Sequence, residues 1–193
     1  MYSLLLDKII EKVNLTCAEQ EIIRKYFVPK RLKKRQYLLQ EGDICNRLTF
    51  VSKGSLVSYS TDDRGCEHVI SFSFDGSWAG DWASLYGKEP SSLSIEAMEP
   101  CELLQIRAEH QDLLFGLVPS YERYMRINHQ NTCAAFQRRL ESSLGLCADE
   151  RYNRLIGESP VLATRIPLNL IASYLGVTPE TLSRVRKQKY VYG

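Results

Sequence analysis

The sequence predicts an α+β chain in three parts: an N-terminal antiparallel β-roll of jelly-roll type, one long helix, and a C-terminal helix-turn-helix. Three observations predict it. Between residues 36 and 106, short apolar stretches alternate with Gly-containing turns. After Pro119 the run SYERYMRINHQNTCAAFQRRLESSLGL contains no Pro, and no Gly before Gly145. Near the C-terminus the chain reads YLGVTPETLSRVRKQ, where a Gly-Val-Thr turn separates an apolar helical pattern from a basic one.

Taken in order, residues 3–27 read as helical, with Leu4, Leu5, Ile9, Val13, Ile22, Ile23 and Phe27 on the apolar face. PKRLKKRQ follows as a solvated lead-in to the sheet. Strands are expected at Tyr37–Leu39, Leu48–Ser52, Ser55–Ser60, His68–Phe74, Leu93–Met98 and Glu102–Ile106, divided by EGD, KGS, DDRG, DGS and GKEP turns. The long helix carries Tyr121, Met125, Asn128, Thr132, Ala135 and Phe136 on one stripe, continued by Leu140 and Leu144. A roll leaves half of such a helix uncovered, so it is expected to pair with a second copy of the chain. In the tail, ADERYNRLIG runs to a Gly stop, PLNLIASYLG runs to Gly176, and PETLSRVRKQ follows. The expected domains are a sensor roll over 1–118, a dimerisation helix over 119–144 and a helix-turn-helix domain over 145–193.

Composition narrows the function classes. Hydrophobic residues are 44% and charged residues 25% of the 193, as in ordinary globular proteins. No apolar run approaches the ~20 residues that span a bilayer. The start, MYSLLLDKIIEKV, reads as an amphipathic helix and not as a signal peptide, so no membrane role and a cytoplasmic location are expected. The six cysteines are at least 14 residues apart, which offers no CxxC pair for metal or redox work. Residues 1–137 hold 16 Lys and Arg against 18 Asp and Glu, whereas residues 138–193 hold nine against five. A basic tail on a near-neutral body suggests a polyanion partner.

The quoted stretch says which. Leu170, Ile171 and Leu175 form an apolar face; Gly176 suits a left-handed helix end. Thr178 suits an N-cap, Pro179 the first helical position, and Glu180 the positive helix start. In the second helix Leu182 and Val185 point inward. Glu180, Thr181, Ser183, Arg184 and Lys187 are left outside, where a recognition helix meets the major groove. Arg184 suits guanine and Glu180 suits cytosine N4. Thr178, Thr181, Ser183, Lys187 and Lys189 suit phosphates.

These residues, with EGD at 41–43, KGS at 53–55, the Gly80-Asp81 turn and the 121–144 helix, resemble the Crp–Fnr superfamily of bacterial transcription factors over nearly the whole chain. The resemblance implies a cyclic-nucleotide-binding-like roll, a homodimer, double-stranded DNA and RNA polymerase as partners, and no enzymatic activity. It places Glu180 and Arg184 at the family's base-reading positions, and Thr178, Thr181 and Lys187 at phosphate contacts. Pro179 replaces an Arg that reads bases in some members. The wing after the second helix is expected to be short or missing. Cyclic-AMP-binding members carry a Gly-Glu pair followed ten residues on by Arg-Ser; here Gly80-Asp81 is followed by Ser91-Ser92, without the cation. Two adenine-contacting hydroxyl positions are Phe136 and Gln137. An effector pocket of Gly80, Asp81, Trp82, Ser91, Ser92, Phe136 and Gln137 is therefore expected to hold an uncharged or unknown effector, or to be filled by Trp78, Trp82 and Phe136. No cofactor and no metal are expected, and the cysteine pattern of the cluster-binding branch is absent.

The competing reading is a cupin-like roll, an enzyme or small-molecule binder. It needs clustered histidines, and the chain has only His68, His110 and His129, with no His-x-His. A third reading is a sensor whose helix-turn-helix binds a protein.

Overall fold

In β3 (Arg47–Lys53) side chains alternate, with Leu48 and Phe50 on one face and Thr49 and Val51 on the other. Both faces are buried. Leu48 and Phe50 pack under helices, and Val51 packs between two sheets. Each such burial stabilises by about 1.5–3 kcal/mol. Thr49 is the polar member, and Gln105 Nε2 donates to its hydroxyl at 3.1 Å.

The chain is described here by a computed structural model covering residues 1–192, with all side chains except those of 161, 163 and 188–192. It divides into two compact units: Met1–Thr61 with Ile70–His129, and Asp62–Val69 with Gln130 onward.

The first unit is the roll. Among the described residues its strands form two four-stranded sheets. One orders β1 (Val28–Leu32), β8 (Cys101–Arg107), β3 and β6 (Trp78–Ala79). The other orders β2 (Tyr37–Leu39), β7 (Ser94–Ala97), β4 (Leu56–Thr61) and β5 (Glu67–Ser73). The β1–β8, β8–β3, β3–β6, β2–β7 and β7–β4 pairings are antiparallel. At the β3–β4 turn Gly54 has φ 106°, and a Cβ there would lie 2.7 Å from Cys101 Sγ, so only glycine fits.

Several expectations change. The helical segment 3–27 is two helices, α1 (Tyr2–Ile10) and α2 (Cys17–Tyr26). A capping box restarts the chain: the Glu19 N–H donates to Thr16 Oγ1 at 3.2 Å, and the Thr16 N–H donates to the Glu19 carboxylate at 2.7 Å. The basic lead-in begins inside β1, which pairs with β8. Two short helices were not expected, α3 (Trp82–Gly87) and α7 (Pro160–Arg165), while α4 (Ala108–Leu117) is the helical segment that carries His110. Gly157 does not end α6 (Ala148–Glu158), which runs one residue past it.

The long helix, α5, spans Pro119–Gly145. Tyr121, Tyr124 and Met125 are buried, whereas Phe136, Leu140 and Leu144 are 44, 61 and 81% exposed. Tyr121 and Leu140 therefore do not share one face. At 3.6 residues per turn, Arg139 lies five turns below Tyr121 and continues its stripe. Phe136, Leu140 and Leu144 form a second, uncovered stripe.

The second unit packs α6, α7, α8 (Leu168–Leu175) and α9 (Pro179–Tyr192) around Tyr152, Leu162, Ile166, Ile171, Leu175, Leu182 and Val185. Among the described residues no helix is long and apolar enough to cross a membrane.

Candidate functional site

Gly176 closes α8 with φ 66°. Its N–H donates to the Ser173 carbonyl, and the Val177 N–H donates to the Ala172 carbonyl, both at 3.0 Å. This is the Schellman pattern. The Leu175 carbonyl accepts from Arg151 Nη1 at 2.7 Å, a cation at the negative helix end. Two residues later α9 begins. The Thr181 N–H donates to Thr178 Oγ1 at 3.3 Å, and the Leu182 N–H donates to the Thr178 carbonyl at 3.0 Å. Pro179 occupies the first helical position, where no donor is missed.

Leu182 and Val185 anchor α9 in the core. Glu180, Arg184 and Lys187 are exposed, and Ser183 and Thr181 half-buried. Pro179, Glu180, Ser183, Arg184 and Lys187 line one shallow depression. The α9 face thus gathers four of the seven residues expected to meet DNA. Thr178 and Thr181 stand at its start, their hydroxyls 3.2 Å apart. Lys189 has a side chain outside the described residues. The Glu180 carboxyl is held below its ordinary value by its own backbone N–H and then by the Thr178 hydroxyl. It is an acceptor at neutral pH, as a cytosine amino group requires.

In the roll, Asp81 and Ser91 are 5 and 3% exposed. The Ser91 hydroxyl donates to Asp81 Oδ2 at 2.7 Å, while Asp81 Oδ1 accepts from the Ala83 N–H at 3.0 Å and the Ser84 N–H at 3.3 Å. Asp81 thereby caps α3. Gly80 precedes it and is half-buried, as is Trp82; Ser92 is exposed. Phe136 and Gln137 belong to the second unit, both exposed, and Gln137 Nε2 donates to Glu141 at 2.9 Å. Trp78 packs in the roll core with Phe50 and Tyr124. Of the histidines, His110 meets Tyr26 edge-on, His129 meets Trp82, and His68 pairs with Asp62 at 3.0 Å.

Sequence reasoning missed a clamp within the second unit. Arg139 Nη2 donates to the Val69 carbonyl at 3.1 Å and the Tyr174 carbonyl at 3.0 Å, and its guanidinium lies 4.0 Å from the Tyr174 ring centroid. The Ser173 hydroxyl accepts from the Val69 N–H at 2.9 Å and donates to the Glu67 carbonyl at 3.0 Å. So α5, α8 and the β4–β5 hairpin tip are tied at one point. Burial lowers the Arg139 pKa. The available signal is an Arg on the Tyr121 stripe.

Residues 29–115 match the family described as "Cyclic nucleotide-binding domain". The chain is 27% identical over 187 residues to the anaerobic regulatory protein of Pasteurella multocida, covering 90% of this chain and 68% of that one. It is 31% identical over 166 residues to the transcriptional activator protein FnrA of Stutzerimonas stutzeri, covering 80 and 67%. In some other relatives the match spans less than two thirds, as little as 64% of the relative's length. Among solved structures, the c-di-GMP responsive global regulator CLP of Xanthomonas campestris superposes with a TM-score of 0.72 at 18% identity, covering 91 and 92%.

The clamp yields a stability prediction. Arg139→Gln leaves the Val69 and Tyr174 carbonyls without that donor and removes the ring contact. We expect a loss of about 1.5–3 kcal/mol in urea denaturation, with faster amide exchange at Val69. Unchanged exchange there would mean the clamp holds nothing.

Proposed function

Because this chain belongs to the Crp–Fnr family of DNA-binding transcriptional regulators, we propose that it binds two-fold operator DNA as a cytoplasmic homodimer, with α9 in the major groove. The observation that carries the assignment is the α9 face, where exposed Glu180, Arg184 and Lys187 share one depression while Leu182 and Val185 are locked in the core. Arg184 and Glu180 read bases; Lys187, Lys189, Thr178, Thr181 and Ser183 hold phosphates. The Thr178 and Thr181 hydroxyls stand together at the start of α9, 3.2 Å apart. RNA polymerase is the partner such a regulator acts on.

The second copy covers the Phe136, Leu140 and Leu144 stripe. The roll senses an effector other than cyclic AMP. The support is local: where cyclic-AMP-binding members set an arginine against the phosphate, Ser91 is buried and its hydroxyl is taken up by Asp81 and the Leu93 carbonyl. A phosphate there would lack its charge-assisted partner.

On the preferred duplex, Arg184→Ala should cost about 1–3 kcal/mol and relax preference at one base pair. Lys187→Ala should weaken all duplexes alike and reduce the salt slope by about one charge per subunit. Competition binding on single-base site variants across a salt series reads both; equal loss on preferred and scrambled duplexes would demote Arg184 to a phosphate contact. Sedimentation should give about twice the 22.2 kDa chain mass, falling to one chain mass in Leu140→Glu. A wild-type monomer at micromolar concentration contradicts the two-fold operator. Calorimetry with cyclic AMP at micromolar concentrations should show no heat of binding, and a saturable heat would mean another cation serves the phosphate.

A further inference from the structure

We propose that residues 24–35 of the roll are a second duplex-binding surface, one that holds DNA phosphates without reading sequence. This segment contains seven Lys and Arg and no Asp or Glu, whereas the rest of 1–137 holds nine against 18. The cations follow one another along the end of α2, the edge strand β1 and the turn after it. Lys25, Arg31, Lys33, Lys34 and Arg35 are exposed. Acids reach only the flanks of the segment: Arg24 meets Glu21 at 3.4 Å and Arg31 meets Glu102 at 3.6 Å. Among the described residues Lys25, Lys30, Lys33, Lys34 and Arg35 enter no ion pair. An unneutralised basic block on an otherwise acidic body is an electrostatic footprint for a polyanion.

The turn after β1 holds its charges in a fixed place. The Gln36 N–H donates to the Lys33 carbonyl at 3.1 Å, and the Lys33 N–H donates to Gln36 Oε1 at 2.7 Å. The Arg35 N–H donates to the Ala97 carbonyl at 2.7 Å, which ties the tip to β7. Arg35 takes φ 66°, a conformation that Gly or Asn adopts with less strain. A turn with only a structural task loses nothing by having Gly there, so the strained Arg points to its side chain having work outside the fold. Edge protection accounts for a charge or two on β1, but not for three consecutive cations beyond it. Composition then selects the anion. Four of the seven cations are lysines, a residue depleted at protein interfaces and used freely on phosphates. A lipid surface favours charges and apolar side chains on one amphipathic helix; these cations run mainly along a strand and a tight turn. The inference rests on the reading that the chain binds duplex DNA, and is independent of the contacts assigned to α9.

The test measures binding of the full chain to the preferred duplex and to a scrambled duplex of the same length, across a salt series. The triple variant Lys33→Gln, Lys34→Gln, Arg35→Gln should weaken both duplexes by the same factor, about tenfold at low salt, and reduce the salt slope by about two to three charges per subunit. Arg184→Ala in the same assay should discriminate between the duplexes, so the two surfaces are read apart. Arg35→Gly removes the strain and the cation together; it should melt no lower than wild type and still weaken both duplexes. Equal affinity and equal slope in wild type and the triple variant overturn this inference and leave the α9 reading standing. Absence of duplex binding by the wild type overturns both. Polyglutamate and phosphatidylserine vesicles are the competing probes. If the triple variant loses binding to either while its duplex binding is unchanged, the surface belongs to an acidic protein or to lipid headgroups, and the inference fails.

Discussion

At Gly176 the chain takes φ 66°, a conformation that costs a residue with a Cβ about 1 kcal/mol or more, and every candidate DNA contact depends on that turn. It redirects the backbone within two residues, so α9 starts at Pro179 with its apolar face already turned to the core. Leu182 and Val185 then fix the rotation of α9 about its own axis. Once that rotation is fixed, Glu180, Arg184 and Lys187 have one direction left to them. Arg151 reinforces the turn from α6 by binding the last carbonyl of α8. The chemistry of recognition is carried by exposed polar atoms, but their placement is decided by one glycine and two buried aliphatic side chains.

The roll solves a different problem with polar groups. Asp81 is buried and its carboxylate is occupied by two backbone N–H groups and the Ser91 hydroxyl. A carboxylate needs such partners to remain in a dry interior. A longer acid or an arginine at Ser91 would redistribute these bonds toward a ligand. Here they close on themselves, and the loop around 42–43 is held as well: the Ser91 N–H donates to the Asp43 carbonyl and the Ser91 carbonyl accepts from the Gly42 N–H, both at 2.8 Å. The Asp81 and Ser91 groups thus serve the fold of this loop directly.

What could be read from the sequence follows from the range of the forces involved. The helix-turn-helix was legible because its signals are local: Gly176, Thr178, Pro179 and Glu180 act within one turn of where they stand. Most strands were legible from alternation. Thr16 and Glu19 spelled a capping box that a count of apolar periodicity over 3–27 overrode. β1 was hidden because its exposed Lys30 and Arg31 read as solvent, while its pairing partner, β8, comes about 70 residues later. Arg139 was illegible for a stronger reason. Its acceptors are backbone carbonyls of Val69 and Tyr174, which no side-chain pattern announces.

The long helix joins these arguments. Its first half is covered: Tyr121, Tyr124 and Met125 are fully buried in the roll core. Its second half uses the same stripe differently, because Arg139 now meets peptide groups and not apolar side chains. The remaining apolar residues, Phe136, Leu140 and Leu144, rotate away from that stripe and cannot be served by the contacts that serve Arg139. A helix with two faces needs two coverings. One is supplied by the chain itself. A second copy is the simplest source of the other, because a two-fold contact brings the same stripe to itself and sets two α9 helices in the symmetric relation that a two-fold operator demands. In the proposed dimer two +4 tails would meet one duplex, and their phosphate contacts would add in the exponent of the salt dependence.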